Sequence, residues 1–188
     1  MEDRSRRIVE SAVALAEEGG FEAVRLRDVA SHAGVALGTL YRRFHSKEDL
    51  LLAALEMQIG KHEQLVERRP PRGATPLERL TSFFQVITRA LCRRPHLARA
   101  LIRAVATGEP ELTQKVAAFH TRVEDLITRA LRGTDGKTCG AATEDERALA
   151  YTLELVWFAS LVGWAGGLHG QAAVVAQTRR AAELMLKS

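Results

Sequence analysis

Cysteine, proline and aromatic residues are all scarce in this chain, and each scarcity excludes a class of protein. The two cysteines among 188 residues, Cys92 and Cys139, lie far apart and outside any CxxC pair. That excludes a disulfide scaffold and a zinc ribbon. Five prolines and 14 glycines exclude collagen-like and proline-rich chains, and 46% hydrophobic residues exclude a disordered one. The longest apolar run, Leu155 to Leu168, has 14 residues, short of the roughly 20 that a membrane helix needs. The opening MEDRSRRIVE carries no apolar signal run, so a cytoplasmic protein with no membrane partner is expected. The catalytic patterns G-x-S-x-G and H-E-x-x-H, the P-loop and the dinucleotide fingerprint are missing too. His62, His96, His120 and His169 are not spaced as helix-borne metal ligands. No enzyme, cofactor or metal site is expected.

What is present is positive charge in one place. The net charge is +4, and arginine supplies 22 of the 27 basic residues. Between Arg25 and Lys47 five basic residues (Arg25, Arg27, Arg42, Arg43, Lys47) meet one acid, Asp28, a net +4 that equals that of the whole chain. Such a local field matches a phosphate backbone.

The apolar periodicity is helical almost throughout, with no strand alternation and no internal repeat. Ile8, Val9, Ala12, Leu15 and Ala16 mark a first helix that Gly19-Gly20 should stop. Leu26 to His32 reads as a second helix and Leu37 to Phe44 as a third. A fourth starts at Ser46, with Asp49 three residues on. RRPPRGATP (68–76) is a loop. Further helices are expected over 77–91, 95–106, 111–131, 144–163 and 171–186, with a polar loop at 133–143. The count is about nine helices, an all-α chain.

The informative segment is LRDVASHAGVALGTLYRRFHSK (26–47). Two short helices flank a turn at Gly34. Val29, Ala30, Val35, Leu40 and Phe44 can form a shared core, the arrangement of a helix-turn-helix. The second of these helices fits a major groove. Its polar side offers the hydroxyls of Thr39 and Tyr41 and the charges of Arg42 and Arg43. Gly38 permits close backbone approach. Lys47 is placed as a phosphate clamp at the next helix start.

Asp28-Val29-Ala30, Ala33-Gly34-Val35, Gly38-Thr39-Leu40-Tyr41, Phe44 and Ser46-Lys47 closely resemble the TetR family of bacterial transcriptional repressors, with the spacing intact over residues 7–55. The resemblance implies an all-α homodimer. A three-helix DNA-binding domain (1–50) would read a palindromic operator in double-stranded DNA. A ligand-binding and dimerisation domain (51–188) would release it on binding a small hydrophobic inducer. It also implies a phosphate or base-edge contact from Arg27, backbone contacts from Thr39, Tyr41 and Lys47, and base-facing positions at Leu37, Gly38 and Arg43. Arg25 and Ala36 stand where members often have a Ser or Thr helix cap; Arg25 is expected to touch a phosphate instead. Residues 35–44 are similar to the recognition segment of regulators of cholesterol and steroid catabolism, which implies a steroid, lipid or acyl-CoA inducer.

Phe84, Phe119 and Trp157 are expected to line a ligand cavity, with Thr88, Arg99, Arg103 and His120 as polar anchors. The last two helices are expected to form the dimer interface through Trp157, Leu161, Trp164, Val174, Thr178, Ala181 and Met185. Three other readings stay open at this level: a transcriptional activator, a regulator without ligand, and a helical protein-interaction module without specific DNA binding.

Overall fold

A computed structural model describes residues 2–133 and 141–187; Cys139 and most of the expected loop at 133–143 lie outside them. The described residues form nine α-helices and one 3-10 turn, and no strand. In order they are α1 (Glu2–Ala23), α2 (Leu26–His32), α3 (Leu37–Tyr41), α4 (Lys47–Arg68), α5 (Pro76–Cys92), α6 (Pro95–Ala106), a 3-10 turn (Pro110–Leu112), α7 (Thr113–Arg132), α8 (Glu144–Ala165) and α9 (Gln171–Met185).

Most boundaries follow the sequence signals, and the exceptions have physical causes. Gly20 does interrupt α1: its φ of 69° and ψ of −156° are non-helical, and one more helical turn follows to Ala23. The third helix ends at Tyr41, three residues earlier than expected. Its last turn tightens, with the amides of Arg43 and Phe44 both donating to the Leu40 carbonyl. Pro110 turns the start of the expected 111–131 helix into a 3-10 turn. Ser46 caps α4 as anticipated: its Oγ accepts from the Asp49 amide at 3.0 Å, while Asp49 Oδ2 accepts from the His45 amide at 3.0 Å. Thr143 and Glu146 form a full reciprocal capping box on α8.

The helices group into two compact units, and the division falls within α4 and α7. The first runs to Gly60 and takes in Arg93–Val116. Its core joins Ile8, Ala12 and Ala16 of α1, Val29 and Ala30 of α2, Leu40, Leu50 and Leu51, and Leu97 and Leu101 of α6, all buried. Here α1 packs on α6 and on α2, and α2 on α3. Each fully buried Leu or Ile contributes about 1.5–3 kcal/mol of transfer free energy.

The second unit comprises Lys61–Cys92 and the chain from Ala117 onward. In it α9 packs against both α5 and α8. Phe83 and Phe84 meet edge to face at 5.2 Å. Arg79 closes the end of α7, its guanidinium donating to the carbonyls of Ala130 (3.3 Å) and Leu131 (2.7 Å). Those carbonyls would otherwise lack partners. Helix α8 is long and apolar enough to cross a membrane by length and composition alone. Its middle nevertheless carries Glu154, fully buried against its own unit.

Candidate nucleic-acid interface

The turn between α2 and α3 depends on Gly34, whose φ is 63°. That left-handed conformation costs a side-chain-bearing residue roughly 1 kcal/mol or more. The turn is closed by the Val35 amide donating to the Ala30 carbonyl at 3.0 Å. Val29, Ala30, Leu40 and Phe44 are buried beneath it, which fixes the angle between the two helices. Neither Arg25 nor Ala36 supplies a side-chain cap to α2 or α3, in keeping with their residue types.

The outward side of α3 is then available. Tyr41 is 48% exposed, although large aromatic rings are usually covered. Gly38 faces open space: a methyl group there would touch nothing in the chain. Leu37 and Thr39 are half-buried, and Arg42 and Arg43 are exposed in the turn that follows α3. The Arg42 guanidinium donates to Thr39 Oγ1 at 3.3 Å. Arg25 and Arg27 are exposed at the start of α2. The structure thus brings Leu37, Gly38, Thr39, Tyr41, Arg42 and Arg43 together on one short segment.

Lys47 departs from the expected open clamp. Its Nζ donates to the Phe21 carbonyl at 3.2 Å, lies 3.7 Å from Glu22 Oε2 and sits 4.3 Å from the Phe21 ring centroid. Only 23% of its side chain is exposed. Arg103, expected as a ligand anchor, belongs to the same cluster. It pairs with Glu22 at 2.8 Å and covers the Phe21 ring at 4.0 Å. Its cation is therefore engaged on the surface of the first unit, with no part in the aromatic cluster of the second. Arg99 is exposed on the same helix, α6. Asp49, buried at the start of α4, also pairs with Lys115.

Five other expected ligand residues lie in the second unit, in two groups. Phe84 and Trp157 lie 6.1 Å apart, and Trp157 Nε1 donates to Thr88 Oγ1 at 2.9 Å. Phe119 and His120 meet edge to face at 5.0 Å. Sequence reasoning missed Glu154, which accepts a 2.8 Å hydrogen bond from His120 Nδ1 and whose second oxygen is buried without a partner among the described residues. The signal was an acid at the start of the apolar run LELVWFASL, where a charge without a partner is costly. That hydrogen bond raises the His120 pKa against the opposing effect of burial. Burial and the nearby Glu154 push the Glu124 carboxyl up.

The expected dimer residues need correction. Trp157, Leu161, Val174 and Thr178 are buried inside the chain, because α8 and α9 pack on each other and α9 on α5. Trp164, Ala181 and Met185 are half-buried. The apolar side chains that α8 does present outward are Tyr151, Leu155 and Val162, with Leu184 on α9.

Residues 8–54 match the family model described as "Bacterial regulatory proteins, tetR family", and residues 73–185 match "Tetracyclin repressor-like, C-terminal domain". Among curated proteins, the HTH-type transcriptional repressor KstR of Rhodococcus jostii (strain RHA1) is 37% identical over 162 residues, 86% of this chain and 73% of that protein. The KstR of Mycobacterium tuberculosis (strain ATCC 25618 / H37Rv) is 34% identical over the same share of this chain and 71% of its own length. A TetR transcriptional regulator from Rhodococcus sp. RHA1 superposes with a TM-score of 0.86 at 27% identity, covering 99% of this chain and 96% of that one. Thermus thermophilus FadR, a TetR-family repressor solved in complex with lauroyl-CoA, has the same fold, with a TM-score of 0.74 at 21% identity over 97% of this chain and 93% of its own.

Proposed function

We propose a specific mode of action for this chain, which belongs to the TetR family of bacterial regulatory proteins: a dimer covers a palindromic operator, and a small hydrophobic inducer releases it. The DNA-binding role rests above all on the Gly34 turn, which sets out Leu37, Gly38, Thr39 and Tyr41 on a short helix and Arg43 in the turn after it. That helix enters the major groove. Arg43 reads a guanine edge, while Arg25, Arg27, Thr39, Tyr41 and Arg42 hold phosphates. A dimer sets two such helices one turn of DNA apart, roughly 34–36 Å. Residues 1–50 carry this reading function and residues 51–188 carry ligand binding and dimerisation. A protein acting on operator DNA works in the bacterial cytoplasm.

Repression, rather than activation, is supported by the related KstR proteins, which are transcriptional repressors. The inducer is of the steroid, lipid or acyl-CoA class. Support comes from the aromatic pairs Phe84–Trp157 and Phe119–His120 in the second unit and from the lauroyl-CoA held by a neighbour of the same fold. Ligand binding favours one of two states, and operator affinity falls by the difference in its affinity for them. The dimer forms through the outward faces of α8 and α9, where Tyr151, Leu155, Val162 and Leu184 are exposed.

Selection of genome fragments by the purified protein at near-physiological salt, followed by sequencing, tests this reading. Enrichment of a palindromic promoter site supports it. Retention without sequence preference, lost on a modest rise in salt, sinks it and returns the helical interaction module as the better account.

A further inference from the structure

A strongly basic concavity beside the recognition helix joins Thr39, Arg42 and Arg43 to two arginines, Arg4 and Arg7, that the sequence did not single out. A cleft of about 850 Å³ opens between the first turns of α1 and the end of α3. Arg4 and Arg7 line it from α1, and Thr39, Arg42 and Arg43 line it from α3 and the turn after it. One acid, Asp3, faces these four arginines, a net charge of +3 in one cleft. None of the four makes an ion pair among the described residues. Ser5, which shares the lining, has a buried hydroxyl with no hydrogen-bond partner among the described residues.

Arg6 is the informative contrast. It lies between the other two in sequence, points elsewhere, and is committed to Glu10 at 2.8 Å. Arg4 and Arg7 are spaced i, i+3, so they share one face of α1. Four guanidinium groups that share one acid, Asp3, keep a net charge of +3 and repel one another, and an anion in their midst relieves that repulsion. The planar guanidinium fork matches a phosphate with two parallel hydrogen bonds. The residues that close the other side of the cleft, Thr39 and Arg43, are those placed against DNA in the reading above.

We propose that this cleft takes a phosphodiester of the operator backbone, with Arg4 and Arg7 as DNA contacts that flank the major-groove contacts of α3. The inference rests on the operator-binding reading and extends it to the first turns of α1, which become part of the clamp that positions the recognition helix. Backbone contacts carry no base information. The loss of Arg4 or Arg7 therefore weakens binding to every sequence alike.

The test is a salt titration of operator binding by the full chain and by Arg4→Gln, Arg7→Gln and Arg6→Gln, each first checked for wild-type thermal unfolding. The slope of log affinity against log salt should flatten by about 0.9 for each phosphate contact removed. Arg4→Gln and Arg7→Gln are expected to flatten it, with the ratio of operator to random-sequence affinity unchanged. Arg6→Gln is expected to leave it alone, which separates a local contact from a general loss of charge. If wild type binds its operator and Arg4→Gln and Arg7→Gln keep its slope, the proposal is overturned and the DNA-binding reading stands. If wild type binds no sequence preferentially, the reading itself has failed. Inorganic triphosphate supplies the other arm. If it stabilises the DNA-free wild type but not Arg4→Gln, while the DNA slope is unmoved, a free polyphosphate is the occupant and the proposal falls.

Discussion

His120 Nδ1 donates to Oε1 of Glu154 at 2.8 Å, and Glu154 is completely buried. A carboxylate only accepts, so the imidazole proton sits on Nδ1. The hydrogen bond to Glu154 lifts the His120 pKa above its ordinary 6.5, burial opposes it, and the charges of Glu154 and Glu124 add to the rise. A group whose folded pKa is raised stabilises the fold fully below its unfolded value, and that stabilisation is lost as pH climbs through the folded value. The unfolding midpoint of wild type should therefore fall as pH rises from about 6.5 through the raised His120 value. His120→Gln should be less stable than wild type at pH 6 and should lose this pH dependence. An unchanged profile in His120→Gln would show that another group sets it.

Glu22 stands between two cations. It pairs with Arg103 at 2.8 Å and lies 3.7 Å from Lys47. In the DNA-free protein it holds Lys47 toward the end of α1, away from a phosphate at the start of α4. Glu22→Gln should loosen the ammonium, leaving it only the Phe21 carbonyl and ring, and steepen the salt dependence of DNA binding by at most about 0.9, one phosphate contact. Lys47→Ala should cancel the gain and weaken all sequences alike. Filter binding across a salt series reads both.

Arg43→Ala is expected to relax specificity more than it lowers overall affinity. A bidentate arginine–guanine contact is worth about 1–3 kcal/mol of discrimination. Binding to a panel of singly substituted operators checks this. If the ranking of the panel matches wild type, Arg43 holds phosphate and does not read bases.

Thr143 caps α8 by accepting from the Glu146 amide at 3.2 Å, and Glu146 returns a bond from the Thr143 amide at 2.8 Å. Hydrogen bonds from Arg132 and the Thr143 amide hold the Glu146 carboxyl down at about 2. Thr143→Ala should cost about 1 kcal/mol, a fall of about 2–4 °C in Tm for a chain of this size. Scanning calorimetry at neutral pH measures it.

Tyr151 and Leu155 are four residues apart on α8 and are 50% and 43% exposed. Both sit on the face proposed to meet a second copy. Leu155→Glu buries a charge if that face is an interface and leaves it solvated if it is not. Sedimentation should show monomer for Leu155→Glu at concentrations where wild type is dimeric, with helical content unchanged. A dimeric Leu155→Glu would place the interface elsewhere.

Residues 26–47 explain why the helix-turn-helix was legible without coordinates. Its core residues Val29, Ala30, Leu40 and Phe44 and its left-handed Gly34 lie within 16 residues, so the motif needs no distant partner to define it. Helix number and most helix ends were legible for the same reason, since caps, prolines and apolar periodicity act over one or two turns. The inward face of α8 was not. Trp157 and Leu161 read as interface residues because α8 is apolar on nearly every side, and periodicity cannot say which apolar face packs within the chain. Packing against α5 and α9 settled it, turning Trp157 onto Thr88 and leaving Tyr151 and Leu155 outside.

Long-range pairing decided the rest. Lys47 meets Phe21 and Glu22, His120 meets Glu154, and Arg4 and Arg7 share a cleft with Arg42 and Arg43. By itself the sequence determined that this chain is helical and carries a DNA-reading turn, because that information is local. Which charges are held and which are left open was decided by the tertiary structure, because the free energy of a charge depends on the groups that folding brings beside it.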